Sequence, residues 1–300
     1  MSSINAPVIF LIFNRPETTK KVFAAIAKAK PSKLLVVADG PRPSCFGEAE
    51  KCVETRSIIE HVDWDCEVIT NFSEVNLGCK VRIASGLNWA FSIVEEAIIL
   101  EDDCLPNETF FLFCEELLLK YRDDKRIMSI SGTNQRFDKL RTQDSYYFSR
   151  YNHIWGWATW RRAWQYYDLQ MKLWPRIKEE GWLKDIFKEP RLVKFWEKNF
   201  ESACAETWNT WDWQWLFACW VQSGLSILPR VNLISNIGFG ENATTTIATN
   251  SKLAQAAKLP VRPMDFPLQH PSFVIRDTQE DNRIPQLIAR MKSKSKLTAE

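Results

Sequence analysis

The run Val8-Ile9-Phe10-Leu11-Ile12-Phe13 carries no polar residue on either face that a β-strand would present. A strand with one wet face alternates polar and apolar side chains, so an unbroken apolar run must be covered on both sides. Comparable runs lie at Leu34–Ala38, Ile98–Leu100 and Ile127–Ser131, with a weaker one at Cys66–Thr70. Helical spacing fills the gaps. Pro16 suits a helix N1 position, with Val22, Phe23, Ile26 and Ala27 on one face. Further helices are expected over Glu48–His61, over 79–95 and over Pro106–Tyr121. In the second of these, Val81, Ile83, Ala84, Leu87, Phe91 and Val94 are the candidate core positions. Doubly buried strands separated by helices predict an α/β fold, Rossmann-like, whose mostly parallel sheet is flanked by helices.

The second half changes character. Of 14 tryptophans, 12 fall between Trp155 and Trp220, which marks this stretch off from the strand–helix alternation before it. Helical patterns run near 159–168, 190–204 and 211–222, and short strands are expected at Ser226–Leu228 and Val231–Ile234. Asn236–Thr246 is a Gly/Asn/Thr loop. Residues 250–300 have weak periodicity and four prolines between 260 and 271, as in a tail wrapped over the surface or partly mobile.

Chemistry concentrates at Ile98-Ile99-Leu100-Glu101-Asp102-Asp103, where a buried strand runs into three carboxylates. Adjacent acids repel, and the repulsion is tolerable where a cation or hydrogen-bond donors compensate it. Hard oxygen ligands suit Mg²⁺ or Mn²⁺, ions that share their shell with water and substrate phosphates. The carboxyl end of a strand in such a sheet is also where a nucleotide lies. The plainer alternative is a solvated acidic turn ahead of the helix near Pro106. Arg15, between a strand and Pro16, opens onto the same edge and suits a phosphate or base contact, or is a surface arginine at a helix start. Asp39 is a candidate on that edge or a turn acid before Gly40. Lys80 and Arg82, early in their helix, would neutralise phosphate or lie on a solvated face. Asp212 is a lone acid among aromatics, placed either for proton abstraction or as an N-cap of the helix that follows. Trp155, Trp157, Trp211 and Trp213 flank Gly156 and Asp212, where flat rings would stack on a sugar; Trp160, Trp164 and Trp196 fit core positions.

Composition narrows the partners. With 39 basic against 37 acidic residues the net charge is +2, which gives no field for nucleic acid. The N-terminus has no basic n-region of a secretory signal, and no apolar run approaches the roughly 20 residues of a membrane span. Cys45, Cys52, Cys66, Cys79, Cys104, Cys114, Cys204 and Cys219 form no C-x-x-C pair and no zinc spacing with the three histidines. A reducing, cytoplasmic setting is the expectation. The basic run Arg290–Lys296 is a solvated end or a peripheral contact with an anionic membrane surface.

In chain order the sequence shows Asn14-Arg15-Pro16, Ala38-Asp39-Gly40, Lys80-Val81-Arg82-Ile83-Ala84 with Asn88-Trp89-Ala90, and Glu101-Asp102-Asp103. Then come Pro106 with Phe110-Phe111, Gly156-Trp157, and Trp211-Asp212-Trp213-Gln214-Trp215. This ordered set, within residues 5–245, resembles the GT-A nucleotide-sugar glycosyltransferases, most of all the inverting N-acetylglucosaminyltransferase I group and its bacterial relatives. The resemblance implies a GT-A fold with a donor-binding half (1–135), a Trp-rich acceptor-binding half of the same domain (136–249) and a C-terminal tail (250–300). It implies Asp103 as direct metal ligand, Asp102 beside the donor's ribose or sugar, and Glu101 holding the loop or touching the donor. Arg15 would face the phosphates or base, Asp39 would bond the base, and Asp212 would be the general base. Relatives commonly carry a His in the late loop, where this chain reads Gly240-Glu241-Asn242-Ala243-Thr244-Thr245-Thr246. Either Thr hydroxyls with Asn242 take over there more weakly, His270 folds back, or donor binding is impaired; His270 is not counted as a ligand.

The expectation is a metal-dependent, inverting glycosyltransferase using Mn²⁺ or Mg²⁺. It would move a sugar from a nucleotide-diphosphate donor, a UDP-sugar by resemblance, to a glycan or lipid-linked glycan in surface polysaccharide assembly. Two rivals remain at this stage: a metal-dependent phosphohydrolase or nucleotidyltransferase using the acidic triplet, and a non-catalytic carbohydrate-binding protein on a degenerate transferase fold.

Overall fold

A computed structural model describes residues 3–134, 141–205, 207, 209–239 and 256–283. The first half alternates β1 (Val8–Ile12), α1 (Pro16–Ala29), β2 (Lys33–Ala38), α2 (Glu48–Ser57), β3 (Glu67–Phe72), α3 (Gly78–Ile93) and β4 (Glu96–Glu101). A short β5 (Cys104–Pro106), α4 (Thr109–Lys120), β6 (Ile127–Ser131), β7 (Tyr146–Ser149), β8 (Trp157–Trp160) and α5 (Arg161–Trp164) follow. The remainder comprises α6 (Trp174–Glu179), α7 (Leu183–Ile186), α8 (Pro190–Cys204), α9 (Asp212–Val221), β9 (Leu225–Pro229) and β10 (Ile234–Asn236).

Eight strands form one sheet in the order β3-β2-β1-β4-β8-β6-β9-β7. β3, β2, β1 and β4 are mutually parallel. β8 is inserted antiparallel between β4 and β6, β9 lies parallel to β6, and β7 closes the edge antiparallel to β9. This is the expected Rossmann-like, mostly parallel sheet flanked by helices. The chain steps outward from β1 to β3 and then crosses β1 to β4, which puts a topological switch between β1 and β4.

Alternation along the strands shows both faces covered. Val8, Phe10 and Ile12 enter one core with Val22 and Ile26 of α1 and Phe110, Phe113 and Leu117 of α4. Ile9 and Leu11 enter the other, against Ile83, Leu87 and Phe91 of α3. α3 lies close enough to the sheet that a Cβ on Gly86 would sit 2.4 Å from Val37 Cγ1. A third cluster, built from α6 to α9, holds Trp174, Trp196, Phe200, Phe217 and Trp220. Its rings meet edge to face, as between Trp196 and Trp220 at 4.7 Å and 63°.

Several sequence expectations shift. Pro106 ends β5, which pairs antiparallel with β10, instead of starting a helix. The helix begins at Thr109, where Asn107 Oδ1 accepts from the Thr109 N–H and hydroxyl at 3.0 and 2.8 Å. The stretch read as helix over 159–168 is strand β8 with only the short α5 after it, because Trp157–Trp160 is gripped by β4 and β6. β7 was not foreseen, and the late strand sits at Ile234–Asn236 instead of Val231–Ile234. Val81 is exposed, since the buried side of α3 takes in Lys80 and Arg82.

In the tail, Met264 and Leu268 join the first core, and the Asp277 N–H donates to Phe148 O at 2.8 Å. His270 lies on β7 and α4, with Nδ1 2.9 Å from the Tyr146 hydroxyl and Nε2 3.0 Å from Glu116. The Gly240–Thr246 loop and the basic run Arg290–Lys296 lie outside the described residues. Among the described residues no helix is long and apolar enough to cross a membrane. None of the eight cysteines is joined in a disulfide among the described residues.

Candidate active site

A cleft of about 250 Å³ opens at the carboxyl ends of β1, β2 and β4. Phe13 and Arg15 reach it from the β1 end, Asp39 and Arg42 from the β2 end, and Glu101, Asp102 and Asp103 from β4. Gly78 and Cys79 at the start of α3 form the floor with Arg82 and Ile83, and Asn209 closes the side toward α9. This is the crevice at the switch point, where an open α/β sheet binds ligands.

The three acids are treated unequally. Asp102 is buried and accepts the Phe13 N–H at 3.0 Å, which ties the end of β1 to the end of β4. Burial lifts its carboxyl to about 7, against the pull of Arg15. Asp103 Oδ2 accepts from Arg15 Nη1 at 2.6 Å, and the same nitrogen lies 3.4 Å from Asp102 Oδ1. Asp103 Oδ1 is approached by the Asn236 amide at 3.5 Å, and its carbonyl takes the Ile237 N–H at 2.8 Å. Gly238 packs against this carboxylate so tightly that an added Cβ would lie 2.1 Å from Oδ2. The Glu101 side chain has no hydrogen bond among the described residues, and burial beside Asp103 and Asp102 pushes its carboxyl well above the ordinary range. Arg15, by contrast, is held charged by these acids despite its burial.

Among the described residues no group of three or more His, Cys, Asp or Glu side chains is arranged to hold a metal ion. One or two carboxylates completed by phosphate and water is the usual pattern for Mg²⁺. Asp103, with the unbonded Glu101 beside it, fits that pattern.

Three charged residues expected at the ligand are occupied by the fold. Asp39 accepts from the N–H groups of Gly40, Leu77 and Gly78 at 2.9, 2.9 and 3.0 Å and from Asn76 Nδ2 at 3.1 Å. Four donors fill the four lone-pair sites of a carboxylate, so Asp39 fastens the entry to α3 and has nothing left for a base. Arg82 donates to Ala38 O at 3.0 Å and to Asn71 O and Oδ1, clamping the ends of β2 and β3. Lys80 is buried, its ammonium 3.5 Å from Ala203 O and its N–H bonded to Asn209 Oδ1, and it does not line the cleft. Asp39 and Arg82 line the cleft while bound to the fold in this way, and Lys80 does not line it.

Asp212 is the first residue of α9, with Trp211 preceding the helix, so it is not the N-cap. Thr210 Oγ1 donates to its Oδ1. Burial raises the Asp212 carboxyl, opposed by the Thr210 hydroxyl and the N–H groups at the helix start. Its charge acts on Glu101 and Cys79 of the cleft, although Asp212 itself is not among the residues that line it.

The four tryptophans expected at an acceptor separate. Trp157 and Trp211 are buried and stack on each other, centroids 5.6 Å apart at 27°, so neither offers a face to a sugar. Trp213 is half-buried in the third cluster against Trp196 and Phe200. Trp155 is half-buried with its ring against Phe239, beyond the ends of β6 and β8. In the same loop His153 donates its N–H to Ser131 Oγ at 2.9 Å, and burial lowers its imidazole to about 4.

Sequence reasoning missed Phe13, Arg42, Cys79, Asn209 and Gly238. Arg42 had a signal, since it follows the Asp39-Gly40 turn on the same edge. Its guanidinium pairs with Glu48 at 2.5 Å and lies 5.8 Å from the Phe13 ring centre. Gly238 had none, because its closeness to Asp103 depends on β10 pairing with β5.

No protein-family model matches the sequence, and no curated protein matches it. Among solved structures the chain is similar to a 4-diphosphocytidyl-2C-methyl-D-erythritol synthase from Anaerococcus prevotii, at TM-score 0.38 and 10% identity over 84% of this chain and 97% of that one. It is similar to the inositol-1-phosphate CTP transferase from T. maritima, at TM-score 0.32 and 10% identity over 54% and 74%. It is also similar to mouse xyloside xylosyltransferase 1, at TM-score 0.26 and 9% identity over 44% and 54%. Superpositions this loose say nothing about what the cleft binds.

Proposed function

We propose that the protein is a glycosyltransferase that takes a sugar from a nucleotide-diphosphate donor, a UDP-sugar in the first instance, and passes it to a glycan or lipid-linked glycan. The observation that carries this reading is the acidic Glu101–Asp103 edge of the cleft, with a separate half-buried acid, Asp212, near enough for its charge to act on Glu101. Departure of a nucleoside diphosphate loads negative charge on the leaving group while positive charge grows at the anomeric carbon. A divalent ion, when bound through Asp103 and Glu101, would offset the charge on the leaving diphosphate. Arg15 would supply a positive charge on the same side. Asp212, raised by burial and steadied by Thr210, would take the acceptor's proton from the opposite side, the arrangement an inverting displacement needs.

Phe13 and Arg42, at the ends of β1 and β2, would bound the nucleoside. Trp155 is the acceptor platform that remains after the packing of the other three rings. The test is a panel of sugar nucleotides with Mn²⁺ and mixed glycan acceptors, read as nucleoside diphosphate released. Release that requires an acceptor, and a product bearing the sugar, is the expected result. Pyrophosphate from a nucleoside triphosphate would instead indicate nucleotidyl transfer, and binding of sugar with no turnover would indicate a lectin-like role.

A further inference from the structure

The inference deepens the proposed function, because it rests on the acidic edge being where a divalent ion meets a diphosphate. Asp103 Oδ2 is closed in. Arg15 Nη1 stands 2.6 Å away, and on another side Gly238 leaves no room for even a methyl group. Oδ1 is screened by the Asn236 amide and by the Cys104 thiol, each at 3.5 Å. A cation that approaches this carboxylate meets a guanidinium already seated on it, and two positive groups cannot share that oxygen cheaply. Among the described residues no third acid or imidazole converges to reward a bare ion for displacing Arg15.

We propose that Arg15 is an internal counter-ion that reserves Asp103, withholding it from free divalent ions and releasing it only when a diphosphate arrives to receive the guanidinium. The exchange keeps every charge paired. A planar fork of N–H donors fits phosphate oxygens as well as it fits carboxylate oxygens. When Arg15 turns from Asp103 to a phosphate, the carboxylate is freed at the moment the ion's other ligands become available. Cation and nucleotide then bind as a pair, each tightening the other by the same factor. Arg15 is on this account a positioning residue for the cation, and the site in the absence of nucleotide is held by its own ion pair.

The test is a Mn²⁺ titration of the full chain, followed by the EPR signal of free Mn²⁺, with and without UDP. Wild type is expected to take up Mn²⁺ weakly alone and tightly with UDP. Arg15→Gln is expected to bind Mn²⁺ alone about tenfold more tightly than wild type and to lose most of the UDP enhancement. Adding Asp103→Asn to that variant is expected to remove the gain. Unchanged Mn²⁺ affinity in Arg15→Gln, with UDP-dependent binding intact in wild type, would overturn the role given to Arg15. Absence of Mn²⁺ binding to wild type even with UDP would overturn the metal reading itself and this role with it. If Arg15→Gln does not fold, Arg15→Met removes the charge and keeps an unbranched side chain. It is expected to bind Mn²⁺ alone more tightly than wild type, and an affinity equal to wild type would count against the proposal.

Discussion

Gly238 and Asp103 touch without a side chain between them: an added Cβ would fall 2.1 Å from the carboxylate oxygen that Arg15 holds. Gly238→Ala must therefore push Asp103 aside while leaving β10 and β5 paired. We expect donor turnover to drop about 10²-fold, the usual effect of misplacing a reacting group by an ångström. Circular dichroism and the melting temperature should stay near wild type. A turnover within twofold of wild type would show that the Asp103 carboxylate is not used where it stands.

Asp212→Asn preserves shape and removes the proposed base. Donor affinity should be unchanged, while kcat falls about 10²–10⁴-fold, the range for loss of a general base. Single-turnover assays with saturating donor separate the two, and full activity would remove Asp212 from the chemistry.

Arg82→Ala addresses stability. Its guanidinium is buried and bonds Ala38 O and Asn71. Those carbonyls would lose their donors, which should cost about 2–3 kcal/mol in urea unfolding. UDP affinity of the folded fraction should change little, and a large loss of affinity without destabilisation would restore Arg82 as a phosphate contact.

His153 predicts a pH dependence. Its imidazole is lowered from 6.5 to about 4 by burial. Between those values the unfolded chain takes up a proton that the folded protein refuses, so stability must fall as pH drops through that window. The full effect is about 3 kcal/mol at its lower end. His153→Gln should flatten that part of the stability curve, and an unchanged slope would assign the loss to other groups.

Trp157→Ala and Trp211→Ala should each cost about 3–5 kcal/mol, as for other buried aromatics. Trp155→Ala should leave stability nearly intact and raise the acceptor KM instead. Steady-state kinetics beside thermal unfolding distinguish the two behaviours.

The parallel half was legible because burial on both faces leaves a mark in composition: β1 and β2 are apolar at nearly every position and β4 from Ala97 to Leu100, and each ends at the cleft. β8 left no such mark. Its Trp157 and Trp160 are spaced as on a helix and run into Arg161–Trp164, and only the pairing with β4 and β6 decides in favour of a strand. Charged residues misled for a related reason. Asp39 and Arg82 look like ligand groups in sequence, but most of their partners are backbone N–H and C=O groups, which no letter reveals, joined by the side chains of Asn76 and Asn71. The tryptophans show the converse: a ring that would stack on a sugar stacks as well on another ring, as Trp157 does on Trp211.

The reversed direction of β8 has a consequence for how such a protein can diversify. In the parallel strands, material facing the cleft is what the chain writes on leaving the sheet; at β8 it is what the chain writes on entering. The His153–Gly156 segment is thereby delivered to the working edge by a strand whose far end, Trp160, is anchored beside Glu96. New preferences can be composed in that segment while β1, β2 and β4 keep their grammar unaltered.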